Sequence, residues 1–259
     1  MSYVPYHKEG TVTMLAGPCS IESEEQLEEV GSTLKELGLS WIRGGAFKPR
    51  TSPYSFQGLG EEGLRIMADV GKRKGLKTLT EVVDTAHIQM VMSYVDGLQI
   101  GTRNMANYEL LKAVGAATAE NHKPILFKRG MAATIDEWLS AVEYLTQGGN
   151  PNIMLCERGL RTFETATRFT LDIAAVPVIH KRSLFPVCVD VSHPAGQVYL
   201  IPDLAKAAIA AGCDSLMIEI HPDPSQAKSD AAQQLTLPEF TDLLEDLRKV
   251  AAAVGKTIV

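Results

Sequence analysis

Eight short runs of apolar and β-branched residues recur along the chain, and each is followed by a longer amphipathic stretch. A strand buried on both faces reads as a continuous apolar run, whereas the helix that crosses over it keeps one polar face, so the alternation predicts a parallel sheet covered by helices. The strand runs fall at residues 12–16, 41–43, 78–81, 97–100, 125–128, 153–156, 187–191 and 216–220. Helical stretches are expected at 24–37, 61–74, 135–145, 203–211 and 239–254. Thr134 followed by Glu137 reads as a capping box, and Pro238 suits the first turn of the last helix. Residues 162–183 give no clear pattern, because Pro177 interrupts a helical periodicity. Eight β/α units in 259 residues predict a single (β/α)8 TIM barrel over residues 1–259, with a short N-terminal extension and no separate regulatory domain. Barrels of this kind take about 250 residues.

The net charge of −6 argues against nucleic acid or anionic lipid as partner, since both draw on an excess of Lys and Arg. No apolar stretch approaches the roughly 20 residues that span a bilayer, and residues 1–10 lack the layout of a signal peptide, so a cytoplasmic address is expected. Cys19, Cys156, Cys188 and Cys213 are widely separated with no CxxC pair, which predicts reduced thiols rather than a zinc ribbon or a disulfide framework. The polar segments at 45–60 and 221–236 are long for a compact domain and are expected to carry function.

In a barrel the chemistry gathers at the C-terminal ends of the strands. Those ends offer, in order, Cys19, Arg43, Glu81, Arg103, Lys128, Arg158, His193 and Glu219. With Lys48 and Arg50, the cations Arg43, Arg103, Lys128 and Arg158 would form a positive bowl in an acidic protein, suited to small, multiply charged anions. Singly, each could be a solvated surface charge, and Cys19 a buried filler. Cys19, His193, Glu219 and Asp230 bring thiolate, imidazole and carboxylates to the same face, a mixed set that suits one divalent first-row metal (Mn, Fe, Co or Zn) without choosing among them.

The ordered segments AGPCSIES from Ala16, RGGAFKPRTSP from Arg43, LTEVVD from Leu79, LQIGTRNM from Leu98, KPILFKRGM from Lys123, CERGLRTFE from Cys156, DVSHPAG from Asp190 and IEIHPDP from Ile218 run nearly end to end. In these the sequence resembles the 3-deoxy-arabino-heptulosonate-7-phosphate (DAHP) synthases in their compact, type I-beta form, relatives of the 3-deoxy-octulosonate-8-phosphate synthases. The resemblance implies a metal-dependent condensation of phosphoenolpyruvate with erythrose 4-phosphate and water, the first step of the shikimate pathway toward chorismate and the aromatic amino acids. It implies metal ligation by Cys19, His193, Glu219 and Asp230. Arg103 and Arg158 would hold the phosphate of phosphoenolpyruvate, while Arg43, Lys48 and Lys128 would reach its carboxylate. Arg50 and Thr51 would grip the aldose phosphate, Glu81 would position water or handle a proton, and Lys128 or a metal-bound water would move protons. The chain departs from the pattern at Val191 and Ala231, where the family places proline and glycine. Both neighbours shape backbone rather than supply ligands.

Three other readings compete: the octulosonate synthase, which takes arabinose 5-phosphate, a Schiff-base aldolase with Lys128 as nucleophile, and a non-catalytic binding or regulatory barrel, against which the full set of candidate ligands and cations argues. KPRTSP stands where the octulosonate group has an Asn-Arg-Ser loop, which favours the shorter aldose. The resemblance further implies a homo-oligomer, dimer or tetramer, and allows a chorismate mutase in trans as a regulatory partner. Since the first strand begins near Val12 and the chain ends with its last helix, no feedback inhibition by phenylalanine, tyrosine or tryptophan is expected.

Overall fold

A computed structural model describes residues 8–49 and 52–259. Strands β1 (Thr11–Gly17), β2 (Trp41–Arg43), β3 (Lys77–Glu81), β4 (Gly97–Ile100), β5 (Ile125–Lys128), β6 (Ile153–Glu157), β7 (Val187–Asp190) and β8 (Ser215–Glu219) pair in parallel, each with its successor. β8 returns to β1 along Thr13–Gly17, and Ala16 of β1 pairs with Ile42 of β2, so the sheet closes into the expected (β/α)8 barrel. Helices α1 (Glu24–Glu36), α2 (Glu61–Lys74), α3 (Ile88–Tyr94), α4 (Tyr108–Ala117), α5 (Ile135–Gln147), α6 (Ala175–Arg182), the one-turn α7 (Ser192–Ala195), α8 (Ile201–Ala210) and α9 (Leu237–Ala253) fill the connections.

Local sequence explains the helix starts. Thr134 and Glu137 close the predicted capping box at α5, and Thr236 with Glu239 closes a second one at α9, with Pro238 in its first turn. Pro177, which seemed to break a helix, is the third residue of α6, where a backbone N–H has no intrahelical partner to lose. The chain does not end with its last helix: β9 (Thr257–Ile258) follows α9 and pairs with Thr11 and Val12 of β1. A two-residue strand carries no periodicity that sequence could reveal.

The packing divides with a period of two, as alternating side chains require. Leu15, Trp41, Leu79, Leu126, Met154, Cys156, Cys188 and Met217 point inward and form a closed inner cluster. Their neighbours Met14, Ala16, Ile42, Ile125, Phe127 and Leu155 belong to the larger core between strands and helices. Cys156 and Cys188 pair across β6 and β7 and are inner packing residues with free thiols. Two residues beyond the inward members lie Arg43, Glu81, Lys128, Arg158, Asp190 and Glu219. The alternation therefore sets a ring of charge directly on an apolar floor. No helix among the described residues is long and apolar enough to cross a membrane.

Candidate active site

Above that floor opens a cavity of about 310 Å³, lined by Arg43, Lys48, Glu81, Arg103, Lys128, Arg158, His193 and Asp230 among others. The structure thus brings together every predicted site residue among those described, with Cys19 and Glu219 buried beside the cavity. Arg50 and Thr51 lie outside the described residues.

β1 and β2 meet tightly at the mouth because Gly17 has no side chain. A Cβ there would fall 1.9 Å from the Arg43 carbonyl oxygen, and the φ of +151° adds backbone strain for any other residue. Arg43 donates to the Pro18 carbonyl at 2.6 Å and to Glu219 Oε1 at 3.0 Å. Lys48, from the long loop after β2, reaches back and donates to Cys19 Sγ at 3.0 Å and to the Cys19 carbonyl at 3.1 Å.

The ligand atoms of Cys19, Glu219 and Asp230 all lie within 4.8 Å of one another. Cys19 Sγ is 3.2 Å from Asp230 Oδ2, and His193, on α7, sets its Nε2 3.8 Å from Glu219 Oε1. His193 Nδ1 lies 2.7 Å from Asp190 Oδ2, and with the proton on Nδ1 the lone pair of Nε2 would be free for a cation. Asp230 adopts a left-handed backbone conformation (φ 48°), rare for a residue with a side chain.

The electrostatics of this cluster favour a cation. Burial pushes the Cys19 thiol up to about 12, with Glu219 adding to the effect. Burial works equally against Glu219 ionising, but His193, Arg43 and Lys48 outweigh it and hold the carboxyl below its ordinary range. For Asp230 the same opposition is settled by Arg168, His193 and Lys48, which bring it down to about 2. Burial also lowers the His193 imidazole, only partly offset by Asp190 and Glu219. An imidazole, two carboxylates and a thiol converging in a buried pocket are the donors a divalent first-row metal takes, and a bound metal would itself ionise the thiol.

Lys128 donates to Asp190 Oδ2 at 2.6 Å. Arg158 is buried, its guanidinium carbon 4.0 Å from the centre of the Phe169 ring, and its Nη1 donates to the Gly159 carbonyl at 3.3 Å. Nε of Arg158 and of Arg43 are buried without a hydrogen-bond partner. Arg103 stands exposed at the rim, in the turn Thr102–Asn104 after β4. Buried cations with unused donors are poised for an anion.

Comparison with known proteins agrees with this arrangement. Residues 7–254 match the DAHP synthetase I family. The chain belongs to that family. It is 47% identical over 246 residues to the phospho-2-dehydro-3-deoxyheptonate aldolase of Thermotoga maritima, covering 95% of this chain and 72% of that one. It is 32% identical to the 2-dehydro-3-deoxyphosphooctonate aldolase of Nitrobacter hamburgensis, over 94% of this chain and 89% of the relative. The crystal structure of the Thermotoga maritima DAHP synthase superposes with a TM-score of 0.93 at 44% identity, covering 98% of this chain and 72% of that chain. A truncated form of the same synthase gives 0.90 at 41% identity, covering 98% and 91%. This member of the DAHP synthetase I family is accordingly an enzyme of aldol-type condensation.

Several residues that shape the family site here escaped sequence reasoning. Asp190 joins Lys128 to His193, and its place in DVSHPAG, two residues beyond the inward Cys188, was the available signal. Arg168 and Phe169 come from the segment without clear pattern, where no periodicity marks them. Gln233 donates to Glu219 Oε2 at 2.7 Å, and Gln234 accepts from the Cys19 N–H at 2.9 Å. Adjacent glutamines in a polar loop give sequence no hint of this.

Proposed function

We propose that this enzyme condenses phosphoenolpyruvate with erythrose 4-phosphate and water to give 3-deoxy-D-arabino-heptulosonate 7-phosphate and inorganic phosphate, with one divalent metal bound by Cys19, His193, Glu219 and Asp230. The reading rests on one adjacency: a buried thiol, imidazole and carboxylate cluster beside a wall of buried cations with unused donors. A metal in that cluster would serve as a Lewis acid toward the aldehyde oxygen.

The chain's own groups do the rest. Arg158 and Arg103 hold the phosphate of phosphoenolpyruvate, the first with a buried guanidinium braced on Phe169. Arg43, Lys48 and Lys128 face its carboxylate and hold the enol carbon toward the aldehyde. As the new carbon–carbon bond forms, positive charge grows on the former enol carbon. Glu81 stands in the cavity, held by the Gln99 amide at 3.2 Å, where a carboxylate can orient the water that adds to that carbon. Collapse of the hemiketal phosphate breaks its carbon–oxygen bond and releases phosphate, whose charge remains matched by Arg103 and Arg158. Lys128, in the cavity wall, is an ammonium available for proton transfer. The KPRT motif assigns the aldose phosphate to Arg50 and Thr51.

A Schiff-base mechanism is disfavoured, because an ammonium ion-paired with a buried carboxylate at 2.6 Å has no lone pair to offer a carbonyl. The test is phosphate release from phosphoenolpyruvate with erythrose 4-phosphate or arabinose 5-phosphate, with EDTA and with Mn restored. Release with erythrose 4-phosphate that EDTA removes and Mn restores is the expected result. Preference for arabinose 5-phosphate would overturn the aldose, and insensitivity to EDTA would overturn the metal.

A further inference from the structure

The two carboxylates of the cluster are tied together from behind. Gln233, itself buried, donates from Nε2 to Glu219 Oε2 at 2.7 Å and accepts at Oε1 from Arg168 at 2.6 Å. The same Arg168 guanidinium nitrogen lies 3.3 Å from Asp230 Oδ1. Because Arg can only donate and a carboxylate can only accept, the amide is fixed in one orientation by its neighbours. Each carboxylate consequently has one oxygen engaged on this side. The other oxygen faces the cluster: Glu219 Oε1, which also accepts from Arg43 at 3.0 Å, lies toward His193 Nε2 at 3.8 Å, and Asp230 Oδ2 toward Cys19 Sγ at 3.2 Å.

Arg168 is placed there by its own surroundings. It belongs to the loop after β6, and that loop is pinned to α7 by the Phe169 N–H, which donates to the Pro194 carbonyl at 3.1 Å. Gly196, at the end of α7, leaves the room: a Cβ at this position would sit 2.6 Å from the Arg168 Cβ, and its φ of +68° suits glycine. The loop after β6, which also carries Phe169 under Arg158, is thereby fastened to the loop after β8, which carries Asp230.

We propose that Arg168 and Gln233 act as one positioning unit that keeps Glu219 and Asp230 each presenting a single oxygen to the metal, so that a coordination position stays open for the substrate oxygen. This rests on the metal reading above. With Gln233 removed, Glu219 Oε2 is released and Glu219 can chelate through both oxygens, closing that position. Groups behind the ligands commonly change metal affinity by about 10–100-fold.

The test uses Co(II), whose thiolate charge-transfer band reports Cys19 ligation and whose visible d–d intensity falls as coordination rises above four. Wild type, Cys19→Ser, Gln233→Met and Arg168→Met are titrated with Co(II), and thermal melting without metal checks that each is folded. Gln233→Met keeps side-chain volume while removing both hydrogen bonds. The expected result is a charge-transfer band in wild type, absent in Cys19→Ser and retained in Gln233→Met and Arg168→Met. In the latter two the d–d intensity should drop at least twofold and the Co(II) dissociation constant should change by about 10-fold or more. Folded Gln233→Met and Arg168→Met with wild-type spectrum and affinity would overturn the positioning role while leaving the metal reading intact. No Cys19-dependent band in the wild type would overturn the metal reading and this inference with it.

Discussion

Lys128 Nζ and Asp190 Oδ2 lie 2.6 Å apart at the centre of the barrel mouth, with both side chains almost entirely removed from water. The same carboxylate oxygen faces His193 Nδ1 at 2.7 Å, so one group anchors a cation of the anion-binding wall and a ligand of the metal cluster. Burial opposes the charge on Asp190, yet His193 and Lys128 hold it well below the usual carboxylate range. Removing one partner of a buried pair strands the other, at a cost of about 3–5 kcal/mol, whereas removing both is often neutral. Asp190→Asn is expected to lose stability of that order in urea unfolding of the metal-free protein. Lys128→Met combined with Asp190→Leu should recover most of it. A double variant no more stable than Asp190→Asn would show that the two charges are not coupled.

Arg158 is expected to act in binding rather than in folding. Its guanidinium is buried against Phe169, burial lowers its pKa, and its Nε has no partner, so shortening it gives up little within the fold beyond a long 3.3 Å hydrogen bond to the Gly159 carbonyl. A hydrogen bond to a charged group contributes about 1.5–3 kcal/mol. Arg158→Met should therefore raise the KM for phosphoenolpyruvate by roughly 10–100-fold, with unfolding stability changed far less. Steady-state kinetics beside thermal melting would check this, and an unchanged KM would remove Arg158 from the phosphate site.

How far the sequence reaches can be judged from particular residues. The barrel was legible because period-two burial and helix caps are local, and they place Arg43, Glu81, Lys128 and Glu219 without reference to the rest of the chain. The clustering of Cys19 with Asp230 depends on two loops 211 residues apart in sequence. Their residue types suggested a shared face, and the resemblance made them ligands of one metal. Asp190 lay within DVSHPAG without an assigned role, since a strand-end aspartate does not announce which cations it faces. Arg168 and Gln233 were invisible because their partners lie across loops without periodicity. Side chains that position others are specified by tertiary geometry and leave little mark on composition or spacing.

Gly101 offers a way to move Glu81 without altering it. A Cβ at position 101 would stand 2.0 Å from Glu81 Oε1 and 2.6 Å from its Cδ, so Gly101→Ala must displace the carboxylate. The φ of −72° at Gly101 is open to alanine, and the backbone itself is not strained. The expected outcome is a lower kcat with stability altered by less than about 1 kcal/mol, as for substitutions that meet only a movable side chain. Parallel measurement of kcat, KM and melting would decide. An unchanged kcat would argue that the position of Glu81 is immaterial to the reaction.

Asp214, at the opposite end of the barrel, predicts a pH dependence separate from catalysis. It accepts from the Val187 N–H at 2.9 Å and from Lys256 at 3.0 Å, and lies 2.7 Å from His180 Nε2. Burial alone would raise its pKa, but these contacts outweigh it and hold the carboxyl below its ordinary value of 3.8. A carboxyl depressed in the folded state stabilises the fold above its unfolded pKa, and that contribution is lost as pH falls through the lower, folded value. Asp214→Asn should therefore be less stable than wild type at neutral pH by about 1–3 kcal/mol. The gap should narrow as the pH is taken below about 4, because the wild-type carboxyl then becomes neutral too. Unfolding by urea across this range would test it, and a gap that stays constant down to acid pH would mean that Asp214 acts through its shape and hydrogen bonds rather than through its charge.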